Sequence, residues 1–136
     1  MMRKEEKTEL GFIKIHNDVI GTIASLAACE IEGVARTGEK AAKNIFDLIK
    51  KKHKKGVKVE SLNENDVKLT IDIVVKYGTN IPHMAARVQE NVRKNVEKMT
   101  GLVLSEVNLN IQGVAFPDKE SLETIYKTES KQEVKR

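Results

Sequence analysis

The order of hydrophobic patterns along the chain predicts an α+β domain of the split β-α-β type. It should have two layers, with about four strands in an antiparallel or mixed sheet and two to three helices on one face. Three observations carry this. Val67, Leu69, Ile71, Ile73 and Val75 alternate with Lys68, Thr70, Asp72, Val74 and Lys76, the period of two that marks a strand with one buried face. Ala85, Val88, Val92, Val96 and Met99 recur at spacings of three and four, with Arg87, Glu90, Asn91, Arg93, Lys94, Glu97 and Lys98 between them, as in an amphipathic helix. Val107, Leu109 and Ile111 then alternate with Glu106, Asn108, Asn110 and Gln112, a second half-buried strand.

The elements follow in order. Residues 1–9 are polar and read as a mobile lead-in. Gly11 to Ile15 reads as a short strand with Phe12 and Ile13 on opposite faces. Asn17 or Asp18 can cap the next helix, whose stripe is Ile20, Ile23, Ala24, Ala27 and Ile31, with Gly33 ending it. Ala24, Ala27 and Ala28 are small enough for close helix packing, and Val34 with Ala35 reads as a brief extended piece. Glu39 to about Lys54 reads as a second helix with Ala42, Ile45, Phe46 and Ile49 on one face. Its acidic start and lysine-rich end suit the helix dipole, and Gly56 stops it. Val57 and Val59 begin a strand, and the polar turn Asn63-Glu-Asn-Asp66 makes a hairpin with the strand from Val67. Val74 breaks the polar set of that strand, so the sheet's outer face is expected to be partly covered there. Gly78 permits a turn, Asn80 or Ile81 begins the next helix with Pro82 in its first turn, and Gly101 caps its end. Gly113 marks a bulge or a close backbone approach near the end of the last strand, which Pro117 breaks. With the short second helix left out, the order is the β-α-β-β-α-β of split-βαβ folds. Residues 10–116 form the domain, and residues 117–136, with Leu122, Ile125 and Tyr126 at helical spacing, form a tail or partly ordered helix.

Composition bounds the function. A chain of 136 residues, 32% of them charged, is one domain with a real core. No apolar run approaches the roughly 20 residues that span a bilayer, and MMRKEEKTEL lacks the apolar core of a signal peptide, so the expectation is a cytoplasmic protein. A lone Cys29 fits a reducing compartment. The net charge is +4, and because both tails are balanced the excess lies in the domain, much of it in Lys50, Lys51, Lys52, Lys54 and Lys55 around His53. This run is a candidate contact for anions or an anionic membrane surface, against the plainer reading of a solvated helix end with no aromatic platform beside it in sequence.

No catalytic constellation stands out. There is no Gly-rich phosphate loop, no GxSxG and no HExxH. His16, His53 and His83 do not share metal-ligand spacing, and Cys29 has no His or acid partner indicated in sequence, so neither a metal, a cofactor nor a nucleophile is expected. Tyr77, Gly78, Thr79 and Asn80 form a candidate partner loop: their first duty is the turn, and binding often lives on loops held by rigid elements.

Taken together, certain pieces resemble the alkaline-shock protein family of Gram-positive bacteria over about residues 10–116. They are Gly11-Phe-Ile-Lys-Ile15 with a helix ending Glu32-Gly-Val34; Lys55-Gly-Val-Lys-Val59; Val75-Lys-Tyr-Gly78 with Ile81; Val88-Gln89 with Val92; and Thr100-Gly-Leu102 leading to Val107-Asn108 and Gly113-Val114. The specificity lies in their order and spacing. The resemblance implies a non-enzymatic protein of general or cell-envelope stress or envelope homeostasis, with a hint of lipid supply. It implies self-association, other envelope-stress or membrane-anchor proteins as partners, and attachment to the inner face of the membrane through a partner. The chain lacks the long tails of some stress-induced members, which bears on stress induction and on the anchor partner. The alternative function is a nucleic-acid-binding module using Lys50–Lys55, which predicts binding that falls steeply with salt.

Overall fold

A computed structural model describes residues 5–38 and 56–116. Within them the chain runs β1 (Glu5–Thr8), β2 (Gly11–Lys14), α1 (Asn17–Cys29), β3 (Val34–Thr37), β4 (Val57–Ser61), β5 (Asp66–Lys76), α2 (Ile81–Thr100) and β6 (Val103–Ala115). The helix expected over Glu39 to Lys54 and the tail from residue 117 lie outside the described residues.

β5 is the axis of the sheet. Its alternation predicts a half-buried strand, and Val67, Leu69, Ile71, Ile73 and Val75 are all buried. Along one edge it pairs with β6 in parallel, from Asp66 opposite Val103 to Lys76 opposite Ala115. The other edge is shared end to end by two antiparallel strands: β3 pairs Val34 with Val75 and Thr37 with Ile73, and β4 pairs Val57 with Ile71 and Ser61 with Val67. The sheet is therefore mixed. The point where β3 gives way to β4 lies opposite Asp72, whose carbonyl accepts from Gly38 N (2.8 Å) and whose N–H donates to Gly56 O (2.7 Å). One strand row is thus interrupted, and the chain between residues 38 and 56 leaves and rejoins it at adjacent points.

The sequence pattern of strand, helix and strand is realised by β5, α2 and β6, where a helix carries the chain back so that the two strands run parallel. α2 buries Met84, Val88, Val92, Val96 and Thr100, a stripe at four-residue spacing. Each of its valines contributes about 1.5–3 kcal/mol if fully buried. α1 supplies Ile20, Ile23, Ala24, Ala27 and Ala28 to the same core, so both helices cover one face of the sheet. Asn91 ties them together: its Nδ2 donates to Ala27 O (2.8 Å) and Glu30 Oε1 (2.9 Å). On the other face, Asp72 Oδ1 accepts from Asn110 (3.1 Å) and Gln112 (3.3 Å), and Lys68 pairs with Glu106 (3.8 Å). Val74 belongs to that polar face by register yet is only 3% exposed, with Arg36 and Gly113 as its cross-strand partners.

Several local expectations are met and others corrected. Asn80 caps α2 by accepting from His83 N (3.1 Å), and Gly101 closes it at φ 75°. Asn63 Oδ1 holds the β4–β5 turn by accepting from the N–H groups of Asn65 (3.1 Å) and Asp66 (3.0 Å). The cap of α1 is His16, with no side-chain bond; Asn17 and Asp18 fall inside the first turn, where Asp18 suits the dipole. Glu5–Thr8, read as part of a mobile lead-in, forms a strand against β2. That hairpin is a separate two-stranded sheet, and the strand that joins β5 ahead of β4 is instead Val34–Thr37. Met99, assigned to the buried stripe, is exposed; the stripe ends on Thr100, whose hydroxyl donates to Val96 O (2.6 Å) and accepts from Leu102 N (3.2 Å).

Candidate functional site

The loop Tyr77–Asn80 sits where β5 ends and α2 begins, and it is fixed at both sides. Tyr77 N donates to Ala115 O on β6 (2.9 Å), Thr79 N to Lys76 O (3.2 Å) and Met84 N to Asn80 O (3.0 Å). Gly78 takes φ 93°, a left-handed turn that glycine adopts without strain. The turn after α1 packs against this loop. Lys76 N donates to Gly33 O (2.8 Å), and a β-carbon on Gly33 would come within 2.7 Å of Thr79 Cγ2, so this contact depends on glycine.

Between them lies a cleft of about 440 Å³ lined by Glu32, Gly33, Lys76, the four loop residues, His83, Met84 and Arg87. Lys76 and Arg87 set its charge, with Glu32 opposing them. Above it Tyr77 stacks on Phe116, ring centroids 5.6 Å apart and planes 25° from parallel. Both rings are open to solvent, Tyr77 at 71% and Phe116 at 60%. Tyrosine and arginine at a rigid rim are the residue types that anchor protein interfaces. What this arrangement offers is recognition: aromatic surface, two cations and one carboxylate. The helix end contributes little to anion binding, because Pro82 has no N–H and His83 N is taken by Asn80.

The remaining candidates lie apart. The lysines 50, 51, 52, 54 and 55 fall outside the described residues, ending just before Gly56. His16 lines a separate cleft of about 660 Å³ with Glu5, Lys14, Asp18, Asn63 and Glu64, far along the sequence from the loop and at the other end of α1 from Gly33. Among the described residues, no group of three or more His, Cys, Asp or Glu gathers as a metal site. Cys29 is exposed at the end of α1; partial burial of the sulfur pushes its pKa up, opposed by a hydrogen bond from the backbone of Thr37. A raised pKa leaves less thiolate, the opposite of what an activated nucleophile needs.

The sequence reading found the loop but not its walls. His83 and Arg87 stand four apart on α2, a spacing that puts them on one face, and that signal was available. The Tyr77–Phe116 stack needed the parallel register of β5 and β6, which no local pattern carries.

Comparison with known proteins places these features in a family. Residues 5–116 match the family model of ASP23 (alkaline-shock protein), described as a family of cell envelope-related function. The uncharacterized protein YqhY of Bacillus subtilis (strain 168) is 40% identical over 117 residues, covering 84% of each chain. The uncharacterized protein Spy1614 of Streptococcus pyogenes is 34% identical over 112 residues, 79% of this chain and 90% of that one. The uncharacterized protein YloU of B. subtilis is 32% identical over 116 residues, 83% of this chain and 96% of that one. No solved structure shows a significant match. No helix among the described residues is long and apolar enough to cross a membrane.

Proposed function

The chain belongs to the ASP23 family, whose function is cell envelope-related, and on that premise we propose that it is a non-enzymatic interaction protein of envelope homeostasis. In this reading it self-associates and works through protein partners at the inner face of the membrane. The observation that carries the reading is the exposed Tyr77–Phe116 stack above the cleft of Lys76, His83 and Arg87. Rigid elements hold it in place, and Tyr77 and Arg87 are of the residue types enriched among the hot spots of protein interfaces.

The test is recovery of the tagged protein from gently lysed native cells, separated into membrane and soluble fractions with nuclease treatment. Envelope or membrane proteins that co-purify after nuclease, and are lost with Tyr77→Ala and Arg87→Glu, are the expected result. Recovery of nucleic-acid-binding proteins that disappears on nuclease treatment would overturn the reading in favour of the lysine run 50–55. Neutralising those lysines should leave partner recovery unchanged if the loop is the contact.

A further inference from the structure

The outer edge of β6 borders the four-stranded sheet, and no strand among the described residues pairs with it. Near its start it is served by α2: Gln89 Nε2 donates to Val107 O (2.9 Å), Arg93 to Leu104 O (3.3 Å), and Glu97 accepts from Leu104 N (2.9 Å). Those carbonyls therefore point away from β5. At the far end Ala115 O points toward β5, because it accepts from Tyr77 N. Backbone groups alternate sides along a strand. Leu109, Ile111 and, beyond the register shift at Gln112, Val114 thus turn their N–H and C=O groups outward, and none of these has a partner among the described residues.

The side chains beside this edge are apolar and open. Ile111 is 38% exposed and Val114 46%, and both lie on the helix side of the sheet by register with Ile73 and Val75. Phe116 and Tyr77 continue the apolar surface at the top. Sheet edges are usually protected by charge, by proline or by being short. This strand is 13 residues long, and no charged residue stands between Glu106 and Asp118 in a chain that is 32% charged. Two bulges interrupt it, at Ser105 near its start and at Gln112, and only the second falls within this uncharged run.

We infer that this edge pairs with β6 of a second copy, antiparallel about a two-fold axis near Ile111, joining the two sheets into one. This deepens the self-association in the proposed function and rests on it. The composition favours a second copy over a different partner. A two-fold sets the segment against itself, so a charged side chain near the axis would meet its like. Such an axis sets Asn110 across from Gln112 of the second copy, and since each carries both donors and an acceptor they can pair without conflict. The aliphatic side chains on the other face meet aliphatic side chains.

Sedimentation of the full chain tests this, together with amide hydrogen exchange at several protein concentrations. The expected result is a species of twice the 15.3 kDa chain mass, with protection of the Leu109 and Ile111 amides that rises with concentration. Ile111→Lys and Ile111→Glu should each halve the mass, and mixing the two should restore it. Val114→Lys, at a more exposed position, should also halve it, and a circular dichroism spectrum matching the wild type shows that each variant is folded. Folded variants that stay at the wild-type mass would overturn the β6 edge while leaving self-association through another surface. A wild-type monomer would overturn both. If the two amides are then protected at every concentration, the chain covers its own edge.

Discussion

Gly21→Ala should stabilise the protein, and the structure says by how much. Gly21 is buried in the middle of α1, at a helical φ that any residue accepts. Glycine within a helix costs about 1 kcal/mol relative to alanine. The added methyl would stand 3.8 Å from Val57 Cγ1, 3.9 Å from Val57 Cβ and 4.0 Å from Val59 Cγ2, ordinary contact distances to β4 with no overlap. Burying it adds up to about 0.8 kcal/mol. The sum is about 1–1.5 kcal/mol, allowing for incomplete gain on both counts. Urea unfolding followed by circular dichroism should show the midpoint rising by about 0.5–1 M with the slope unchanged. The melting temperature should rise by about 3–6 °C. A midpoint that stays put or falls would refute the argument, because it would mean that α1 lies closer to β4 than these distances allow.

Three further outcomes follow from the same geometry. Gly56→Ala should destabilise by about 3 kcal/mol or more: Gly56 takes φ 83°, and its new β-carbon would meet the backbone of Gly38, with Cα at 2.6 Å and the amide nitrogen closer still. Equilibrium urea unfolding measures it, and a cost below about 1 kcal/mol would show that the two glycines do not sit together. Asn91→Ala removes the bonds to Ala27 and Glu30 and should cost about 1–2 kcal/mol, with Asn91→Leu giving no recovery. Cys29 should alkylate with a pH midpoint above its ordinary value of 9.0, since burial favours the protonated thiol. The folded protein then holds that proton more tightly than the unfolded chain, so this group's contribution to stability falls as pH rises through 9.0. A midpoint below 9.0 in a stopped alkylation series would contradict the environment described for the sulfur.

What was legible in the sequence was what repeats locally. β5 announced itself through five alternating aliphatic residues, and α2 through valines at spacings of four with Asn80, Pro82 and Gly101 at its ends. β3 was harder, because four residues with a bulge beside Ala35 are too short to show a period, and its pairing with β5 is a long-range fact. Ile111 carries the pattern of a buried residue and is nonetheless partly open, because β6 is an edge strand and alternation reports the face of a sheet, not its border. Met84 and Met99 are alike in composition terms; one is buried and the other exposed because a stripe at exact fours drifts around a helix of 3.6 residues per turn. The candidate loop was visible as turn chemistry. Its aromatic roof and charged walls depended on which strands run side by side.

The meeting of Gly38 and Gly56 at Asp72 brings both ends of the intervening stretch to one point of the sheet. Its two ends are already clamped to one residue of the central strand, so the sheet places no demand on how long the detour is. Closing a longer detour costs little, about 0.6 kcal/mol for each doubling of length. Because β3 and β4 run in the same direction along β5, links of different length between them can leave and rejoin the row at this point while the ladder on either side keeps its register.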